Sequence, residues 1–247
     1  SAIASLPVFS AFTIILDFPE MSASELNRAI TFQARQYIPL PLSEVALDWI
    51  RVGEFKDDSG FKHQQILLIS VTQEQIRKYQ NIFKEAGLSL GALEIEGLSL
   101  ARIFGGADPT PTIVVDIGSR STSAVFLEDG RLKFVSQSDF AGASLTQALA
   151  SSLSVNPLRA EELKKEKGVS AAGPNYELST IMMPFLDAII NETKQAHYKY
   201  KEQFPGARGV ERVILSGGGA NLIGAEKYFE KALALPIAKA DPFSRFE

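Results

Sequence analysis

The sequence contains no cysteine. That one absence excludes disulfides, cysteine-ligated zinc and a thiol nucleophile, and it suits a reducing compartment. Histidine is nearly absent too. His63 and His197 stand far apart, neither lies in a metal-ligand or acid–base pattern, and both read as surface residues. No apolar run approaches the ~20 residues that span a bilayer; the longest, residues 12–16 and 66–71, are strand-sized. An excess of positive charge is also lacking. With a formal net charge of -4 and a pI near 5.4, the chain has no overall basic footprint for nucleic acid or an anionic membrane surface. Ser70 and Ser216 lack the G-x-S-x-G context of a nucleophile elbow, so no residue is assigned a catalytic role. The first residue is Ser1 and no secretion-type segment follows it, so the chain is expected to be a piece of a longer protein, cut at both ends.

What is present is an ordinary globular composition, 45% hydrophobic and 22% charged over 247 residues, enough for two modest domains. In the first, alternation predicts a strand over 9–18. Ser22 and Glu25 then form a capping box for a helix striped by Leu26, Ile30, Ala34 and Tyr37, which Pro39 and Pro41 stop. Strands over 45–52 and 64–71 flank the turn Asp57-Asp58-Ser59-Gly60. A second box, Thr72 with Gln75, opens a helix that ends at Gly87, and a strand follows over 90–94. The order β-α-β-β-α-β is that of a small α+β unit.

Gly105 to Pro111 combines flexible and helix-breaking residues and reads as a linker. The expected division is therefore 1–88, a connecting segment over 89–110, and a second domain over 111–247. The latter opens with three strands, 112–117, 121–128 and 131–138, the last two joined by Asp129-Gly130, a favoured hairpin turn. Helices follow from about Ser144, from Asn156-Pro157 to Gly168, and over 178–203. Strand 212–216 then leads into Gly217-Gly218-Gly219, a helix over 224–233 and a short strand over 237–238. The mixed-sign run 159–167 reads as a solvated helix face. The basic stripe Lys194, His197, Tyr198 and Lys201 is either solvent-facing or a partner surface.

Two places could carry chemistry. Asp116-Ile117-Gly118-Ser119-Arg120-Ser121-Thr122 joins two apolar strands. Its glycine permits close approach of a phosphate, the Ser119, Ser121 and Thr122 hydroxyls add donors, and Asp116 can hold a magnesium ion through water. A plain hairpin would also look this way. The glycine run Gly217-Gly218-Gly219, with Asn221 after it, could lie against a ligand or be a flexible loop. Together they favour binding, because a meander opened by Asp-x-Gly, then helices, then strand–Gly-Gly-Gly–helix resembles the superfamily of actin, heat-shock chaperones and sugar kinases.

The first domain narrows the resemblance. Ser5-Leu6-Pro7, the run from Phe18 to Leu26 (Phe-Pro-Glu-Met-Ser-Ala-Ser-Glu-Leu), Tyr37-Ile38-Pro39-Leu40-Pro41 and Leu47-Asp48-Trp49 resemble the PilM family of type IV pilus assembly proteins. Ala86-Gly87-Leu88, Glu94-Ile95-Glu96, Asp116-Ile117-Gly118 and Leu215-Ser216-Gly217-Gly218-Gly219-Ala220 continue the match. The resemblance implies an α/β fold in which an actin-like (ribonuclease H-like) ATPase lobe carries a small inserted α+β (SHS2-like) domain. It implies ATP with Mg2+ as cofactors. Gly118, Ser119, Ser121 and Thr122 would face phosphate, Asp116 the metal, and Gly217, Gly218, Gly219 and Asn221 the adenosine. Proteins of this family begin with a further Asp-x-Gly loop and end with a helix beside it; this chain is expected to lack both and so to be catalytically inactive by itself. The implied partners are the N-terminal cytoplasmic tail of an inner-membrane PilN-like protein and other pilus assembly proteins. The implied location is cytoplasmic, peripheral to the inner membrane through those partners only. An FtsA-like cell-division filament protein and an actin-family small-molecule phosphotransferase are the alternatives.

Overall fold

The computed structural model describes residues 1–170 and 176–243. By its contacts the chain divides into two units, Ser1–Ser99 and Leu100–Glu247.

In the first unit the capping chemistry forms as the residues dictate. The Ser22 amide donates to Glu25 Oε2 at 3.0 Å while Ser22 Oγ accepts from the Glu25 amide at 3.4 Å, which starts the first helix, α1 (Ala23–Tyr37). The strand before it is shorter than alternation suggests. Pro7 accepts from the Ser10 amide at 2.9 Å, so residues 8–10 coil into a 3-10 turn and β2 runs from Phe12 to Pro19. Ahead of it lies β1 (Ala2–Leu6), which the small residues Ala2, Ala4 and Ser5 do not announce. Next come β3 (Val45–Lys56), β4 (Lys62–Thr72), α2 (Gln73–Glu85) and β5 (Leu90–Ile95). Strands β2, β4 and β3 make an antiparallel sheet in that order, and β1 pairs parallel with β5. One face of the sheet closes on α1 through Leu16, Phe18, Ile66 and Leu68 against Leu26, Ile30 and Ala34. Trp49 Nε1 donates to Asn27 Oδ1 at 2.8 Å and adds a directional tie between sheet and helix.

A helix, α3 (Glu96–Phe104), runs across the division. The second unit then builds a five-stranded sheet from β6 (Thr112–Ile117), β7 (Thr122–Glu128), β8 (Arg131–Ser138), β9 (Arg212–Ser216) and β10 (Ile237–Lys239), in the order β10-β9-β6-β7-β8. β6, β7 and β8 form the antiparallel meander, whereas β9 and β10 run parallel to β6. The helices are α4 (Gly142–Leu153), α5 (Pro157–Lys167), α6 (Tyr176–Gln203) and α7 (Ala225–Leu233). Helix α6 covers one sheet face. Phe126 stacks on Tyr200 at 4.8 Å and meets Phe134 edge-on at 5.5 Å, an aromatic seam between sheet and helix.

Two readings of the sequence are corrected here. Gly105 and Gly106 are not a flexible linker: a Cβ on Gly105 would lie 2.4 Å from the Gly130 carbonyl oxygen, and one on Gly130 would lie 1.9 Å from that of Gly106. These glycines let the end of α3 pack backbone to backbone on the β7–β8 turn. His197 is half-buried rather than fully exposed. Its ring lies 6.1 Å from that of Phe126 and its Nε2 is buried without a hydrogen-bond partner, so burial holds its pKa below the ordinary imidazole value, with Lys201 adding to the effect.

Candidate functional site

The C-terminal end of β6 carries the first motif. Gly118 turns the chain: its amide donates to the Ser121 carbonyl at 3.0 Å, and a Cβ there would come within 2.9 Å of that oxygen. The turn is fastened to α4, whose first amides, from Gly142 and Ala143, donate to the Gly118 and Ser119 carbonyls at 2.9 Å each. The second motif packs against the same strand end. Gly217, at φ 77, could not carry a Cβ without meeting the Ile117 carbonyl oxygen at 2.5 Å, and Gly219 could not without meeting Ile117 Cγ2 at 2.3 Å. Gly218 between them has open space where a side chain would be. Gly217 and Gly219 are therefore set by packing, and Gly218 presents bare backbone outward.

Between the motifs lies a cavity of about 750 Å³, within the size range of small-molecule sites. Ile117, Gly118 and Ser119 form one end, and Gly218, Gly219, Asn221 and Leu222 form one side. Leu145, Leu158 and Leu186 supply an apolar lining, and Thr146, Glu161, Lys164 and Lys165 a polar one. Of the residues singled out in the sequence, the structure brings five to this wall: Gly118, Ser119, Gly218, Gly219 and Asn221. Asp116, Ser121, Thr122 and Gly217 are not part of it. Thr122 is buried and its hydroxyl donates to the Phe140 carbonyl at 2.7 Å, which leaves it no proton for a ligand. Gly217 is exposed, with its backbone packed on that of Ile117 outside the cavity lining. Asp116 is not a turn residue; it belongs to β6, paired with Ser123 of β7 and Ser216 of β9. Burial pushes its carboxyl up from the ordinary value, and a hydrogen bond with Ser216 offsets part of that.

The polar wall comes from the charged run taken in the sequence as a solvated face. Asn156 caps α5 by accepting the Arg159 amide at 2.8 Å. At the other end the Val169 amide donates to the Ile223 carbonyl at 2.8 Å, so the helix is tied both to α4 and to the segment after the glycine loop. On its inner face Lys164, only 13% exposed, reaches Glu161 Oε2 at 2.6 Å, Thr146 Oγ1 at 2.9 Å and the Gly142 carbonyl at 3.1 Å. Burial opposes ionisation of Glu161, but hydrogen bonds from Lys164 and Thr146 outweigh it and hold the carboxyl below its usual range. Spacings of three and four residues between opposite charges occur on solvated and buried faces alike. The three-residue connection 154–156 is the signal that could have found this wall, since short connections make antiparallel helices neighbours.

For a nucleotide the residues present fit: bare glycine backbone, an ammonium, a carboxylate and apolar walls meet at one cavity. For magnesium the wall's one carboxylate, Glu161, is already engaged by Lys164 and Thr146, and Asp116 stands outside the lining. Among the described residues no group of three or more acidic or histidine side chains is placed to hold a metal.

Comparison with solved structures gives the fold. A structure described as a PilM-PilN type IV pilus biogenesis complex matches at a TM-score of 0.82 and 23% identity, covering 98% of this chain and 69% of that one. MreB5 of Spiroplasma citri matches in a form bound to AMPPNP (TM-score 0.57, 18% identity, 69% of this chain and 60% of that one) and in a form bound to ADP (0.57, 19%, 70% and 62%). The architecture is that of the actin-like ATPases. A family model described as type IV pilus assembly protein PilM matches residues 10–247, and the chain therefore belongs to the PilM family.

Proposed function

We propose that this chain is a nucleotide-binding, actin-like scaffold of the type IV pilus assembly platform, acting on the cytoplasmic side of the inner membrane. The observation that carries the nucleotide part is the cavity in which two glycine motifs, about 100 residues apart in sequence, meet across Ile117. The MreB5 structures with AMPPNP and ADP support ATP or ADP as the class of ligand. The PilM-PilN complex supports a PilN-like protein as partner, through its N-terminal cytoplasmic tail. Among the described residues no helix is long and apolar enough to cross a membrane, in keeping with attachment through partners.

In this reading the backbone of Gly118, Ser119 and Gly218 takes the ligand at close range, and Leu145, Leu158 and Leu186 exclude water from its apolar part. Lys164 and Glu161 brace α5 against α4 and hold the cavity open. A magnesium ion would be held mainly by phosphate oxygens and water, which suits its reluctance to dehydrate, with Asp116 orienting one bound water. Bound ATP would supply a charge that differs between its tri- and diphosphate forms, and so a means of setting the scaffold's state.

Titration with a fluorescent ATP analogue tests the reading. Saturable binding displaced by ATP and ADP is expected, and Gly218→Leu, whose side chain would enter the open space, should weaken it at least tenfold while melting at an unchanged temperature. No saturable binding by the wild-type chain, or affinity indifferent to Gly218→Leu, would overturn it.

A further inference from the structure

The donors at the Gly118–Ser119 end of the cavity are already engaged. An ammonium has three hydrogens to give, and those of Lys164 go to Glu161 Oε2 at 2.6 Å, Thr146 Oγ1 at 2.9 Å and the Gly142 carbonyl at 3.1 Å. The Gly118 amide donates to the Ser121 carbonyl, and the amides of Gly142 and Ala143 donate to the carbonyls of Gly118 and Ser119. These groups can touch a phosphate, but their hydrogens are committed; Ser119 is left with a hydroxyl to offer, a neutral donor. The other cation on the lining, Lys165, is 72% exposed and lies 3.4 Å from Glu161 Oε1, so water and salt screen it. Turning Lys164 toward a phosphate would take from Glu161 its nearest cation. That would leave a half-buried carboxylate beside a polyanion, and like charges held together disfavour each other. The glycine-loop side is the opposite case. Gly218 has open space beside its backbone, and the exposed Asn221 keeps its side-chain amide without a partner among the described residues.

We propose that this cavity recognises its ligand from the nucleoside side, with Asn221 as the selecting group, and is indifferent to the number of phosphates the ligand carries. The inference rests on the nucleotide reading above and specifies which part of the ligand carries the affinity. An uncommitted side-chain amide can donate and accept at once, which suits the mixed donors and acceptors of a nucleoside. A chain of phosphates needs charge or several free N–H groups, and at its end of the cavity both are taken. The tri-, di- and monophosphate forms then differ in charge at this wall but not in the contacts they make with it.

The test titrates the whole chain, as wild type and as Asn221→Ala, with ATP, ADP and AMP in EDTA at low and high salt, with ligand-free melting recorded for both chains. The three wild-type affinities should agree to within about threefold, no more than one weak hydrogen bond is worth, and should hold as salt rises, since no exposed ion pair forms. Asn221→Ala should lower all three by the same factor, on the order of tenfold, and melt at an unchanged temperature. Affinity climbing about tenfold with each added phosphate, as charge-assisted hydrogen bonds would give, or falling steeply with salt, would mean that Lys164 leaves Glu161 for the ligand. Either result overturns the inference and leaves the cavity reading intact. So would an Asn221→Ala loss confined to one nucleotide, or no loss at all. A wild-type chain that binds none of the three would instead bring down the nucleotide reading itself.

Discussion

At the scale of single residues, Asp116 brings stability and binding into conflict. The folded chain holds this carboxyl's proton to higher pH than an unfolded chain would, because burial disfavours the charged form. Folding therefore takes up a proton between the two pKa values, so this contribution to stability is fully present below the ordinary aspartate range, near 3.9. It is lost as pH rises through that range toward the raised folded value. At neutral pH the ionised side chain is a net cost. Asp116→Asn should then raise the melting temperature at pH 7, by about 2–4 °C for each kcal/mol recovered, and flatten the dependence of melting on pH just above the aspartate range. The same variant should lose the Mg2+-dependent part of ATP affinity. A scan of melting against pH, run beside the binding titration, checks both. A lower melting temperature at pH 7 would mark Asp116 as structural instead. Its residue type and glycine spacing made Asp116 legible as a candidate, but its hydrogen bond with Ser216 was not, because that partner comes from β9, remote in sequence.

At the scale of elements, the sequence was legible where backbone chemistry is local. The Ser22 and Asn156 caps, the Gly87 helix end and the Asp129-Gly130 turn all form with the residues that specify them. It was opaque where an element's meaning depends on what packs against it, as for the inner face of α5 and for Gly105 and Gly106. Two hairpins show the difference. Gly60 and Gly130 both sit at positive φ, 82° and 70°. Around Gly60 a Cβ would meet nothing within 4 Å, whereas at Gly130 it would collide with the Gly106 backbone at 1.9 Å. Gly60→Ala should therefore cost only the left-handed backbone penalty, about 1–2 kcal/mol. Gly130→Ala should cost more, because the end of α3 must also move off the turn. Chemical denaturation of the two variants checks this, and equal losses would mean that the contact with Gly106 yields freely.

At the scale of the whole molecule, the proposed ligand contacts lie in one unit only. The cavity draws on β6, α4, α5, α6 and the glycine loop after β9, all within Leu100–Glu247. A bound nucleotide stabilises what it contacts through mass action, and at a concentration 100 times its dissociation constant the gain is about 2.7 kcal/mol, or roughly 100-fold in an opening equilibrium. Amides of the second sheet that exchange only through full opening of that unit should slow by about that factor. Those at the cavity itself, residues 117–119, 142–147 and 218–222, should be protected even where they now open locally. The β2-β4-β3 sheet of the first unit gains no contact from the ligand, so its exchange should be unchanged. Hydrogen exchange read by mass spectrometry, with and without Mg-ATP, separates the two sets. Protection centred on β2, β3 and β4, with none at residues 117–119 and 218–222, would place the nucleotide elsewhere and remove the basis for reading the glycine motifs as its site.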